Sequence, residues 1–337
     1  LDEPSSNLDM AAIRELKEHL SLLKKQGKTI LIAEHRLYYL MDVADRIVYL
    51  EQGTIAGVYT PAQLRRLSRD ERSAMGLRAI DLWEEQPEGV SSRPAAPLLE
   101  IRDLSLRYKK RTILEHIRLS ASPGEVIAVV GQNGAGKTTF ARTVCGLHKD
   151  GSGNFLWNGV PKSQKQRQKL SYMVMQDVNY ELFAESVEAE CSFGIKKPDR
   201  ELVGRTIDGL GLTGILKRHP NTLSGGQKQR VAVAVSMICK KDLLVFDEPT
   251  SGLDFDSMTQ VAALIKKLSD AGKVIFIVTH DYEFVCRTCS RVLHFDEGKM
   301  MEDLTMEPGN LVRWKELFHV SEEFSQTGYA EKGFSCD

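Results

Sequence analysis

The sequence has no long hydrophobic run. Its apolar stretches are short, such as Val126–Val130, Leu243–Phe246 and Val274–Val278, whereas a membrane-spanning helix needs roughly 20 apolar residues in a row. The 337 residues therefore predict no membrane-crossing helix. Charge of one sign is also missing: 45 Lys and Arg against 46 Asp and Glu give a net charge of −1, not the basic footprint that a phosphate backbone attracts. Nucleic acid is not an expected partner. The six cysteines, at 145, 191, 239, 286, 289 and 337, are scattered. Only Cys286 and Cys289 have CxxC spacing, and no second pair completes a zinc set; unpaired thiols in a reducing compartment are expected. There is no signal peptide, and the chain opens Leu1-Asp2-Glu3-Pro4 without an initiator Met. That opening reads as a cut in a longer polypeptide.

What is present is a duplication. Asp2-Glu3-Pro4-Ser5-Ser6-Asn7-Leu8-Asp9 recurs as Asp247-Glu248-Pro249-Thr250-Ser251-Gly252-Leu253-Asp254, a shift of 247 − 2 = 245. The same shift takes Gly27-Lys28 to Gly272-Lys273, His35 to His280, Arg46 to Arg291 and Gly53 to Gly298. The expected organisation is the rear part of a first copy over residues 1–60, a helical segment and linker over 61–97, a complete second copy over 98–310 and a tail over 311–337. Arg65, Arg66, Arg69 and Arg72 among acids and leucines predict one mixed-charge helix, and the Pro/Ser-rich stretch 86–97 a linker. Short β-branched runs flanked by Gly and polar turns suit strands of a parallel sheet buried on both faces.

Three segments of the second copy point to chemistry. Gly131-Gln132-Asn133-Gly134-Ala135-Gly136-Lys137-Thr138-Thr139 follows an apolar strand and opens a helix, matching G-x-x-x-x-G-K-[ST]. Converging backbone N–H groups at a helix N-terminus hold phosphate, and glycines let the chain approach it. Lys137 would reach the β- and γ-phosphates and the Thr138 hydroxyl would ligate Mg²⁺. Leu243–Phe246 ends in Asp247 and Glu248. Neighbours on a strand point to opposite sides, so Asp247 can hold the Mg²⁺ shell while Glu248 polarises the attacking water. Leu223-Ser224-Gly225-Gly226-Gln227 supplies a capping Ser and two glycines at a second helix start, a second anion clamp.

With that last segment the sequence resembles the ATP-binding cassette (ABC) family, whose signature is Leu-Ser-Gly-Gly-Gln. The resemblance implies a P-loop α/β fold: a mostly parallel sheet, an antiparallel β subdomain near Leu98 to Ser120, and a helical subdomain from about Asp177 to Thr222. It also implies ATP and Mg²⁺ as ligands. Tyr108, 131 − 108 = 23 positions before Gly131, matches the aromatic that stacks on adenine. Gln176 matches the loop glutamine that touches Mg²⁺, Asp254 the inter-domain contact loop, and His280 the switch histidine at the γ-phosphate. Two cassettes of this family close head to tail over two ATP molecules, with Ser224, Gly225, Gly226 and Gln227 of one facing the phosphate loop of the other. A lone complete cassette is then expected to bind ATP but turn it over poorly unless two copies pair.

Leu182-Phe183, Val187, Glu190 and Phe193-Gly194 resemble the corresponding stretch of the energy-coupling-factor (ECF) vitamin and metal importers. That likeness implies a peripheral motor on the cytoplasmic face of the membrane, with a transmembrane coupling subunit and a substrate-binding membrane subunit as partners. Two other readings stay open. A soluble translation-factor ATPase would show Thr-Asn-His-Leu-Asp where this chain has Thr250-Ser251-Gly252-Leu253-Asp254. A DNA-repair ATPase would insert long coiled coils between phosphate loop and signature.

Overall fold

The computed structural model describes residues 1–87, 96–109, 111–148, 151–195 and 197–320. The chain divides into two compact units, one of Leu1–Gln86 with the residues from Val312 onward, the other Pro87–Leu311.

In the first unit, helix α1 (Met10–Lys25) starts where the Asp9 carboxylate accepts from Ala12 N–H, and the chain leaves it through left-handed Gly27. Ile13 and Leu20 point inward and pack with Tyr39 and Leu40. Strands β1 (Ile47–Glu51) and β2 (Thr54–Tyr59) form an antiparallel hairpin. Its Gln52-Gly53 turn has both residues at positive φ, which matches the right-handed strand twist. The single mixed-charge helix expected next is two short ones, α2 (Pro61–Arg66) and α3 (Arg69–Ala74). Each opens with a reciprocal capping box, Thr60 with Gln63 and Ser68 with Glu71; the Ser68 hydroxyl offers N–H groups an alternative to the i−4 carbonyl and restarts the helix. Most of the Pro/Ser linker, residues 88–95, lies outside the described residues.

In the second unit, β3 (Leu99–Tyr108) and β4 (Arg111–Ala121) lead to β5 (Val126–Val130) and α4 (Lys137–Val144). Then come β6 (Gly151–Trp157), β7 (Val160–Pro161), α5 (Gln164–Leu170) and β8 (Ser171–Val174). Helices α6 (Val187–Glu190), α7 (Arg200–Gly209) and α8 (Gly225–Ile238) precede β9 (Leu243–Asp247), α9 (Phe255–Asp270), β10 (Val274–Val278), α10 (Tyr282–Thr288), β11 (Arg291–Asp296) and β12 (Lys299–Thr305). One sheet runs β12-β11-β5-β10-β9-β8, parallel apart from the antiparallel β11–β12 pair; the other, β4-β3-β6-β7, is antiparallel. Every residue of β5, β9 and β10 is buried, as sequences apolar on both faces require. Phe140 of α4 meets Phe276 edge-on at 5.8 Å and Phe295 at 4.9 Å, fixing α4 on the sheet. Because β5, β10 and β9 are adjacent and parallel, the residues after them emerge together at one sheet edge, where α/β sheets place ligands.

The chain closes with α11 (Leu311–Leu317), which from Val312 belongs to the first unit. Trp314 and Phe318 are buried, and Lys315 Nζ donates to the Trp83 carbonyl at 2.8 Å while lying 3.7 Å from the centre of its indole ring. The stretch expected as a separate tail is thus, as far as residue 320, part of the first unit. Phe324 and residues 321–337 lie outside the described residues.

Candidate functional site

The loop after β5 can be made only by these glycines. Gly131 has φ 139° and Gly136 φ 99°; a Cβ on Gly131 would come within 2.0 Å of the Phe295 carbonyl oxygen, and one on Gly136 within 3.2 Å of the Ile113 oxygen. The Phe295 and Ile113 carbonyls thus close the loop from behind, the Ala135 N–H donates to the Gln132 carbonyl at 3.2 Å, and the loop leads into the N-terminus of α4, the helix end that favours anions. Lys137 is buried and folds over the loop, its Nζ donating to the Gly131 carbonyl at 2.7 Å and to that of Gln132 at 2.9 Å. These carbonyls hold the ammonium over the loop, where its charge also acts on Asp247.

Thr138 Oγ1 donates to Asp247 Oδ1 at 3.3 Å, joining the loop to the end of β9. Burial pushes the Asp247 carboxyl above its ordinary range, while the Thr138 hydrogen bond, Arg142 and Lys137 pull it down. A hydroxyl beside a desolvated carboxylate is an oxygen donor set that suits Mg²⁺; the donors present fit that cation, which Thr138 and Asp247 would hold.

Glu248 stands in the left-handed region at φ 51°, which costs a non-glycine residue about 1–2 kcal/mol. Two hydrogen bonds hold it there: its N–H donates to Val278 O at 2.8 Å, and its carbonyl accepts from Ser251 N–H at 3.3 Å. The carboxylate is buried, with Oε1 3.7 Å from His280 Nε2. The same His280 nitrogen is 3.2 Å from Asn133 Oδ1. The glycine loop, the acidic pair and His280 therefore form one cluster, as their places after β5, β9 and β10 require.

Three other expected groups are exposed. Tyr108 is 65% exposed at the end of β3, with Lys109 5.8 Å from its ring centre. Gln176 is exposed on the loop after β8. Ser224 and Gly225 are exposed at the start of α8. The Ser224 hydroxyl accepts from Gln227 N–H at 3.3 Å and Gln227 Oε1 from Ser224 N–H at 3.1 Å, a capping box that rigidifies the signature and leaves its outer face to solvent. Asp254 caps α9 through Ser257 N–H at 2.7 Å.

Two residues went unnoticed in the sequence. Thr279, fully buried, donates to Glu248 Oε2 at 3.1 Å. Glu181 accepts from Met175 N–H at 2.5 Å, closing the loop that contains Gln176. Burial, aided by Asp247 and Glu190, pushes Glu181 up to about 8, against the pull of the Met175 N–H. A Thr before a His and a Glu in a polar loop look like any others; only the fold buries them.

The sheet, the glycine loop and the acidic pair define the ABC ATPase form of the P-loop fold. Residues 114–251 match the family described as ABC transporter. A Treponema denticola protein provisionally named an ABC transporter ATP-binding protein is 45% identical over 92% of this chain and 65% of its own length. One from Methanosarcina acetivorans, named likewise, is 34% identical over 90% of this chain and 59% of its own. The chain thus spans less than two thirds of the length of these curated relatives. Among solved structures, cbiO1 of Clostridium perfringens, described as part of the ABC transporter complex cbiONQ, superposes with a TM-score of 0.58 at 28% identity, covering 66% of this chain and 96% of its own. A bacterial Atm1-family ABC exporter with ATP bound, at 21% identity and the same TM-score, shares the fold. Among the described residues no helix is long and apolar enough to cross a membrane.

Proposed function

We propose that this chain is the ATP-hydrolysing subunit of an ABC importer of the ECF type, held at the cytoplasmic membrane face by a transmembrane coupling subunit that works with a substrate-binding membrane subunit. The observation that carries the hydrolytic part is the convergence of Lys137, Thr138, Asp247, Glu248 and His280 on one sheet edge. The likeness to cbiO1, itself part of a transporter complex, supports the importer part, together with the Leu182-Phe183 stretch.

In this reading Lys137 and the loop N–H groups bind the β- and γ-phosphates of ATP. Bound Mg²⁺ would neutralise phosphate charge, with Thr138, Asp247 and Gln176 around it. Glu248 orients the attacking water and draws off its proton, and His280, tied to Asn133, faces the γ-phosphate. Tyr108 offers its exposed ring to the adenine. Ser224 and Gly225, exposed at the start of α8, clamp with Gly226 and Gln227 the phosphate of a partner cassette, so turnover depends on pairing. ATP favours the closed pair only as far as it binds that state more tightly than the open one.

Equilibrium binding and steady-state turnover of Mg·ATP test this. Lys137→Ala is expected to weaken binding at least about tenfold, the loss of one charge-assisted contact. Glu248→Gln is expected to keep binding and lose about two orders of magnitude in rate. Equal retention of Mg·ATP by wild type and Lys137→Ala would overturn the reading.

A further inference from the structure

The end of β10 holds a chain of hydrogen bonds with a fixed direction. Thr250 Oγ1 donates to Asp281 Oδ2 at 2.7 Å, and Asp281 Oδ1 accepts from Phe284 N–H at 3.2 Å at the start of α10. Asp281 N–H donates to Thr279 Oγ1 at 3.1 Å. An oxygen that already accepts that N–H turns its own proton elsewhere, and it points to Glu248 Oε2 at 3.1 Å. All four residues, Thr250, Asp281, Thr279 and Glu248, are buried.

Held at Oε2, the carboxylate cannot rotate about its last bond without breaking a buried hydrogen bond, and its other oxygen, Oε1, stays toward His280. The backbone of Glu248 is fixed by its left-handed turn; the side chain beyond it needs a second anchor, and the Thr279 hydroxyl supplies one. The first copy provides a contrast within the same chain. At the position of Thr279 it has Glu34, whose Oε1 accepts from the N–H groups of His35 and Arg36 and whose Oε2 accepts from Ser5 N–H and the Tyr39 hydroxyl. Both oxygens are engaged away from Glu3. The Glu3 carboxylate is 3.6 Å from His35, as Glu248 is from His280 at 3.7 Å, but its side chain is 35% exposed against 8%.

We propose that Thr279 is a positioning residue of the hydrolytic site: its hydroxyl locks the Glu248 carboxylate in the orientation that serves water, and the Glu34 exchange leaves the first copy without that lock. The inference rests on the ATPase reading above and adds a group that acts through Glu248.

The test is a set of steady-state kcat and KM measurements for Mg·ATP on the full chain: wild type, Thr279→Val, Thr279→Ser, Glu248→Gln and the double variant Thr279→Val with Glu248→Gln. Valine keeps the shape and removes the hydroxyl; serine keeps the hydroxyl. Misplacing a reacting group by a fraction of the ~1 Å that costs ~100-fold predicts about a tenfold fall in kcat for Thr279→Val, with KM changed less than about twofold. Thr279→Ser should recover most of the loss. In the Glu248→Gln background, where the carboxylate to be positioned is gone, Thr279→Val should cost nothing further. Equal turnover of Thr279→Val and wild type would overturn the proposal, as would a serine variant no better than valine, or losses that multiply in the double variant. Absence of Lys137-dependent turnover in the wild type is a different result: it removes the ATPase reading and the positioning role with it.

Discussion

The turn at Glu3 and the turn at Glu248 follow one plan but stand in different surroundings. Both glutamates are left-handed, at φ 40° and 51°, and each N–H donates at 2.8 Å to the backbone of the following strand position, Ala33 or Val278. Gly27 and Gly272 leave their helices at φ 77° and 76°, and the hairpin turns Gln52-Gly53 and Glu297-Gly298 both have positive φ. The strands differ. Val274–Val278 is a strand with a parallel partner on each side, whereas its counterpart, residues 29–33, makes one bridge, Asp2 to Ala33. Leu31 is 84% exposed where Phe276 is 1%, and Leu50 is 64% exposed where Phe295 is 0%. Local sequence is enough for turns and caps; strands and cores need neighbours, and the second copy has β5 and α4 to supply them.

The sharpest way to break that comparison is to truncate matched apolar positions. Phe276→Ala removes a ring packed on Phe140 and should cost about 3–5 kcal/mol in urea unfolding of the full chain. Leu31→Ala, at the equivalent position, should stay within about 0.5 kcal/mol. A large loss at Leu31 would mean that another segment or another copy covers this face in solution, and that the first copy is less bare than Leu31 and Leu50 make it look.

What the sequence made legible divides along the same line. The phosphate loop, the acidic pair and the signature depend on residues close together in the chain, and each stands on the expected element. The short apolar runs were readable as parallel strands because burial on both faces leaves few polar positions. The order β5-β10-β9, which brings Lys137, His280 and Glu248 together, was not legible, since no local signal encodes adjacency. The break between α2 and α3 was missed because charge pattern was weighed above the Ser68 cap. The packing of α11 with Trp83 was missed because it joins positions 232 residues apart, and Thr279 and Glu181 because burial is a property of the assembled fold.

A difference of intermediate size concerns the second copy alone. Glu181, raised by burial from an ordinary 4.5 to about 8, is a proton the folded chain keeps longer than the unfolded one. Its contribution is therefore fully present below about pH 4.5 and is lost as pH rises through about 8. Glu181→Gln mimics the neutral acid at every pH. The variant should match wild type near pH 5 and exceed it by about 2 kcal/mol at pH 9, less than the full linkage because water reaching a loop residue relieves part of the penalty. Thermal unfolding across pH 5–9 measures this, and a constant offset would show that Glu181 ionises freely.

The smallest expected effect tests the half of the comparison in which the copies are alike. Asp9 accepts from Ala12 N–H at 2.9 Å and Asp254 from Ser257 N–H at 2.7 Å, each at the start of a 16-residue helix. Replacing either by Ala strands one helix-end donor and should cost about 1 kcal/mol. The cost should be the same in both copies, because a cap acts within one turn and is indifferent to the sheet beyond it. Urea unfolding of Asp9→Ala and Asp254→Ala decides it. A cap worth much more at Asp254 would show that the turn leading from Glu248 to α9 is held by the finished domain, so that even the shared turn geometry owes its stability to distant neighbours.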